Sequence, residues 1–190
     1  MDDAKLRLSA AEMALVRDPG VILTKNSIIQ KVVSLMAGLS EEYRSIGSGF
    51  PAGGNSPKIS RGENYLGLPY VMLDYPRVFG KEDVLAVRTM FWWGNAFSTT
   101  LHLKGCYKDM YLPVIREGWA ELAEAGFYIN VGYDEWRHEH VADNYMPMEG
   151  PPGGERPFLK LSARCGLDQW ENAPAVLTGH FRLLVGVLVP

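Results

Sequence analysis

The four histidines carry the widest chemical range of any side chains here near neutral pH, and two of them stand one residue apart. His138 and His140 lie in segment 132–141, among Asp134, Glu135, Glu139 and the nearby Asp143. On an extended strand this His-x-His spacing sets both imidazoles on one side. They would then be a workable pair of metal ligands, with a carboxylate or His102 as the third. On a helix, Asp134 and His138 would align instead, at i and i+4. The segment has neither zincin nor EF-hand spacing, so a charge-rich solvated loop is the plainer reading. His102 is a candidate general acid or base, because an imidazole titrates near neutrality. No carboxylate that would orient it can be picked out, and the alternative is a histidine on the polar side of a strand. His180 stands among apolar residues and reads as a core or interface histidine. Cys106 and Cys165 show no metal spacing. A thiol just before a helix, as Cys165 would be, can be acidified, but no Cys–His pairing is visible and both read as inert, reduced thiols.

Absent motifs exclude more than present ones suggest. Gly47-Ser-Gly49 and Gly53-Gly54 neither follow a strand nor lead into a Lys-Ser/Thr ending, so there is no P-loop and no dinucleotide fingerprint. No Gly-x-Ser-x-Gly nucleophile turn occurs.

The strongest structural signal lies at 84–104. Two runs rich in β-branched and aromatic residues flank Gly94-Asn95, a two-residue hairpin turn in which Gly supplies the positive φ. In that register Trp93 pairs with Ala96. One face then carries Phe91, Trp93, Ser98, Thr100 and His102, while Arg88 falls on the opposite face beside Leu101 and Leu103. A one-residue slip would swap every assignment. Aromatic bodies mixed with hydroxyls and an imidazole have the composition of a ligand cleft, and also that of a sheet margin tucked under a loop. Arg88, if buried, needs a carboxylate or several carbonyls; it reads either as a snorkelling edge residue or as an anion clamp. Tyr70 from the preceding strand and Trp136 from the polar segment complete the set. The candidate ligand-binding residues are therefore Tyr70, Arg88, Phe91, Trp93, Ser98, Thr100, His102 and Trp136, and the candidate metal pair is His138 and His140.

The elements that must hold these groups follow from periodicity and punctuation. Ser9 and Glu12 have capping-box spacing and open a short helix that ends near Asp18, Pro19 and Gly20. A second helix runs from Thr24 or Asn26 to Gly38 on the stripe Ile28, Ile29, Val32, Val33, Leu35 and Met36, and Ser40 begins another capped turn towards Arg44. Residues 65–74 read as a strand interrupted by Gly67 and Pro69, followed by a longer connection through Pro76 and Gly80. A helix from about Asp109 to Ala125 closes at Gly126. Short strands are expected at 127–131 and 158–164, with loop at 146–157. Trp170, Ala173, Leu177, Phe181, Leu184 and Leu188 recur at helical spacing and predict a final helix after Asp168; the Val-rich end leaves a strand as its alternative.

These elements amount to one α+β domain over 1–190: a helical N-terminal segment at 1–45, a Gly/Ser/Pro-rich loop at 46–62 and an α+β body at 63–190. The expected sheet is antiparallel with about five strands, a meander plus two later strands. Helices pack mainly on one face, and a long helix lies at the C-terminal end. Nineteen basic against twenty-two acidic side chains, a net charge of −3, argue against a nucleic-acid partner. The first residues do not read as a secretory signal and the longest apolar run is too short to span a bilayer, so a cytoplasmic protein without a membrane partner is expected. The leading expectation for function is small-molecule or peptide binding in a cleft on the central hairpin. The alternatives are a protein-interaction module or homodimer, and a metal-dependent or acid–base enzyme using His102, His138 and His140. The residues point to no particular cofactor.

Overall fold

The computed structural model describes residues 6–50 and 56–189. Two helices open the chain, α1 (Ala10–Arg17) and α2 (Pro19–Ile46). A four-strand meander follows: β1 (Lys58–Tyr65), β2 (Leu68–Phe79), β3 (Val84–Trp92) and β4 (Ala96–Lys104). Then come α3 (Cys106–Glu117), α4 (Trp119–Glu124), the short strands β5 (Tyr128–Asn130) and β6 (Tyr145–Pro147), β7 (Phe158–Gly166) and α5 (Ala173–Leu188). The strands form a single antiparallel sheet in the order β1-β2-β3-β4-β7-β5-β6. The α+β class, the meander and the long last helix are as the sequence leads one to expect. The sheet has seven strands rather than about five.

The two extra strands come from segments whose punctuation masks them. The stretch 58–62, expected as loop, belongs to β1, and Leu66-Gly67 is the turn of a hairpin rather than an interruption of one strand. The rest of the expected loop at 51–55 lies outside the described residues. β2 continues through Pro76 to Phe79 because the proline sits where the register with β3 shifts, between Asp74 and Arg77. A bulge leaves its missing N–H without a ladder partner to disappoint. β6 is only three residues long and pairs solely with β5.

The helices cover one face of the sheet. α2 buries Ile29, Val32, Met36, Leu39 and Tyr43, spaced alternately by three and four residues. α5 buries Ala173, Leu177, Phe181, Leu184 and Leu188 at the spacing read from sequence, which settles helix over strand there. Beneath them lie Val71 and Leu73 of β2, Leu85, Val87 and Phe91 of β3, Phe97, Leu101 and Leu103 of β4, and Leu159 and Leu161 of β7. Phe181 ties the layers together: it stacks on Tyr43 at 3.9 Å between ring centres and lies 6.2 Å from Tyr75. The expected helix at 109–125 divides at Gly118 into α3 and α4. No helix is long and apolar enough to cross a membrane among the described residues.

The central hairpin overturns the predicted register. Trp92, not Trp93, pairs with Ala96, and the loop has three residues, Trp93-Gly94-Asn95. Gly94 holds φ at +70°, and Asn95 donates its backbone N–H to the Trp92 carbonyl at 3.1 Å. One extra loop residue moves the partner strand by one position, which exchanges its faces relative to β3. Arg88 consequently shares a face with Ser98, Thr100 and His102, opposite Thr100 itself, while Phe91 pairs with Phe97 on the helix-covered face.

Candidate functional site

The face of the sheet turned away from the helices is polar because every second residue is polar from Ser98 to Lys104 on β4 and from Lys160 to Arg164 on β7, with Asp74 of β2 and Arg88 of β3 beside them. The cross-strand pairs set these residues in rows. Asp74, Arg88, Thr100 and Ser162 form one row across β2, β3, β4 and β7. Ala86, His102 and Lys160 form the next; Met72, Met90, Ser98 and Arg164 form the row on the other side. A strap, residues 131–144 between β5 and β6, lies over this face. It is drawn closed at its base, where Val131 N–H donates to the Asn144 carbonyl at 2.8 Å and the Asn130 side chain donates to the same carbonyl at 2.9 Å. Arg156 grips the start of the strap through the carbonyls of Asn130, at 2.7 Å, and Gly132.

Two of the rows hold the strap by polar contacts. Lys160, only 1% exposed, donates to the Glu135 and Arg137 carbonyls at 2.8 and 2.7 Å. Its pKa is pushed down to about 7, first by burial and then by the charge of Arg88. Glu135 reaches back to Lys104 at 2.8 Å and to His102 Nε2 at 3.0 Å. Burial, reinforced by Lys160, holds His102 down to about 4 despite the carboxylate beside it. The imidazole is therefore neutral near pH 7, and its Nε2–H donates to Glu135. This glutamate is the orienter that no sequence pattern identifies. Arg88 is clamped by Asp74 in a two-pronged pair at 2.7 and 3.0 Å, and its remaining Nη1 lies 3.2 Å from His138 Nε2. A guanidinium only donates, so His138 Nε2 accepts and its proton sits on Nδ1. Burial and the charges of Lys160 and Arg88 hold His138 well below its ordinary range. At the other end, Tyr65 donates to Glu139 at 2.5 Å and accepts from the His138 backbone N–H at 2.7 Å.

His140 is held from beneath. Its Nε2 lies 2.9 Å from Ser162 Oγ, which in turn lies 2.8 Å from Thr100 Oγ1, and its ring stacks on Tyr145 at 4.4 Å. Ser162 is 1% exposed, so this serine orients the imidazole and presents no nucleophile to solvent. Burial first, then Arg164 and Lys160, bring His140 down to about 4.

Two cavities open on either side of the strap residues His140 and Val141. One, of about 150 Å³, lies towards the hairpin tip, between Met90, Trp92 and Ser98 on the sheet and Glu139 and His140 on the strap. The second, of about 430 Å³, is walled by Tyr128 and Tyr145. Arg164 lines both. Its guanidinium has no hydrogen bond or ion pair to any other described residue. A third space, of about 10 Å³ between Arg88, His102, His138 and Lys160, has room for roughly one water.

The structure thus brings together Arg88, Ser98, Thr100, His102, Trp136, His138 and His140 of the residues singled out from sequence. Trp136 packs edge-on to His102 at 5.4 Å. Tyr70 occupies the same face at its margin, opposite Trp92 and 6.3 Å from the Tyr65 ring. Phe91 and Trp93 are not part of the site: Phe91 is in the helix-side core, and Trp93, in the loop, packs edge-on to it at 6.3 Å. Arg88 is neither a snorkelling edge residue nor an open anion clamp, since Asp74 satisfies it. Sequence reasoning did not name Asp74 or Tyr65, nor, on β7, Lys160, Ser162 and Arg164. The signal for the last three is the alternation Lys160, Ser162, Arg164 against Leu159, Leu161, Ala163 along β7.

His138 and His140 aim their Nε2 atoms at separate partners, Arg88 and Ser162. Among the described residues, no group of three or more His, Cys, Asp or Glu side chains is placed to hold a metal ion. Cys165 lies within β7 rather than before a helix, and burial raises its pKa; Cys106 is raised by its hydrogen bond with Asp83. Neither thiol is activated. No protein-family model, no curated protein and no solved structure matches this chain.

Proposed function

We propose that the protein binds a small amphipathic carboxylate in the cleft between the hairpin end of the polar sheet face and the strap. The observation that carries this reading is Arg164. It is the one arginine of this face left without a carboxylate or carbonyl among the described residues, and it stands in the wall common to both cavities. An unpaired guanidinium matches a carboxylate in charge and in two-pronged geometry. The apolar half of the ligand would lie against Met90 and Trp92. The indole is fixed there by its N–H donating to the Tyr65 carbonyl at 3.2 Å and by edge-on contact with the Tyr65 ring. A cavity near 150 Å³ suits a single ring, and the wider second cavity accommodates any extension. Neutral His140 and Ser98 supply hydrogen bonds without competing charge.

The test uses benzoate, phenylphosphate and inorganic phosphate as probes, read by tryptophan fluorescence and thermal shift. Benzoate should bind the wild-type chain, and Arg164→Gln should weaken it about tenfold or more, the worth of a charge-assisted hydrogen bond. Equal responses from the two proteins would sink the proposal, and so would a wild-type chain that responds to none of the three probes.

A further inference from the structure

We infer that residues 6–28 are a homodimerisation arm, in which the apolar surface of α1 and the first turns of α2 packs against the same surface of a second copy of this chain. α1 buries no residue, and the first buried side chain of α2 is Ile29. Between them Leu6, Leu8, Met13, Leu15, Val16, Val21, Ile22 and Leu23 are each 45–71% exposed. The arm is nonetheless built as ordered helix. Ser9 and Glu12 form a reciprocal capping box, Asp18 accepts from the Gly20 N–H at 2.8 Å, and Pro19 sits in the first turn of α2. Local capping sets the shape, but it does not stabilise an eight-residue helix in water; that takes burial of an apolar face. This chain offers no such cover among its described residues, and α2 runs unbroken from the arm into the core, which fixes the arm's direction.

The amount of exposed apolar surface and its charge point to a second copy. Eight half-exposed large apolar side chains, spread around the two helices, expose roughly 800 Å² per chain in all, more than a monomer ordinarily leaves open. A membrane surface would call for a basic face, whereas the arm carries Arg7, Arg17 and Lys25 against Glu12 and Asp18. A patch that is apolar and of mixed charge meets its own copy about a two-fold axis without like charges accumulating. That symmetry closes the assembly at two chains.

Sedimentation equilibrium of the full chain, over about 1 to 100 μM, tests the arm. The wild type should have twice the mass of one chain. Leu15→Glu combined with Ile22→Glu should have the mass of one chain, with unchanged far-UV circular dichroism, because both positions are more than half exposed. Leu23→Lys alone should raise the dimer dissociation constant at least tenfold, a second reading in case the double variant misfolds. Three results would overturn the inference. The wild type could run as a single chain throughout. Both variants could stay as tight as wild type, placing any dimer elsewhere. A single-chain wild type could pellet with phosphatidylcholine–phosphatidylserine vesicles, making the arm a lipid contact.

Discussion

Phe97, Leu101 and Leu161 lie beneath α5 in a mostly apolar layer, where Tyr43 Oη meets Thr89 and the Leu177 carbonyl. At adjacent positions of the same strands, Ser98, His102 and Lys160 face the strap, which His102 and Lys160 hold by hydrogen bonds to Glu135 and Arg137. The two faces thus enclose the same strands by different means. The apolar face is held by non-directional burial, which tolerates small shifts and resists pH. The strap face is held by directed bonds to groups that were expensive to desolvate, so each lost partner is felt in full. A cleft can be kept beside the second face because the strap is a thin layer on a sheet already stable from the other side.

The largest effect should come from the helix side. Phe181→Ala removes the ring that meets Tyr43, Phe50 and Tyr75, and should cost about 3–5 kcal/mol of global stability. Urea unfolding should show one cooperative transition at a lower midpoint. If the strap loosened while the midpoint stayed put, the division between the faces would be misplaced.

A smaller and local effect should follow from Lys160→Met. The methionine fills the space but leaves the Glu135 and Arg137 carbonyls without their donor, at a cost of about 2 kcal/mol after the relief of desolvating the ammonium. Hydrogen exchange should quicken through 131–144 and remain unchanged in α5. Equal quickening in both would show that strap and helices open as one unit.

The helix side was far more legible in the sequence than the strap side, and the reason is the range of the signals. The α5 stripe is local: its five buried positions recur every three or four residues and need no partner to be read. The site depends on which strand face meets which, and that turned on a single residue of loop length. A two-residue Gly94-Asn95 turn and a three-residue Trp93-Gly94-Asn95 loop both require a glycine at positive φ, so local chemistry did not separate them. Choosing the shorter put Arg88 and His102 on opposite faces and drew Phe91 and Trp93 into the cleft. Lys160 and Arg164 alternate plainly along β7. Their relevance, however, rests on the pairing of β7 with β4, a contact between segments more than fifty residues apart that no local pattern announces.

The gentlest way to tell the faces apart is pH, because the bases under the strap all titrate in one sense. His102 and His140 sit at about 4 in the folded chain against an ordinary 6.5, through burial and the neighbouring cations, and Lys160 sits at about 7 against 10.5. A folded-state value below the unfolded one means that the folded chain binds fewer protons. The stability these groups contribute is complete above their unfolded values and is lost as pH falls. For Lys160 that loss runs from about 10.5 down to 7, and for the two histidines from about 6.5 down to 4. Between about pH 7.5 and 6.5 only the lower end of the first window and the start of the second are crossed, so the strap should weaken by roughly 1 kcal/mol. The three groups face Arg88, Lys104, Arg137, Arg164, His138, Glu135, Glu139 and Asp74 across the strap and strands, and burial is the largest cause of each histidine's downward shift, followed by Lys160 for His102 and His138 and by Arg164 for His140. Hydrogen exchange corrected for its intrinsic pH dependence should therefore quicken in 131–144 on mild acidification, with α5 unmoved. A strap that tightened as pH fell would mean that the Glu135 contact with His102 outweighs burial and the flanking cations, and the two faces would then differ in shape but not in their response to protons.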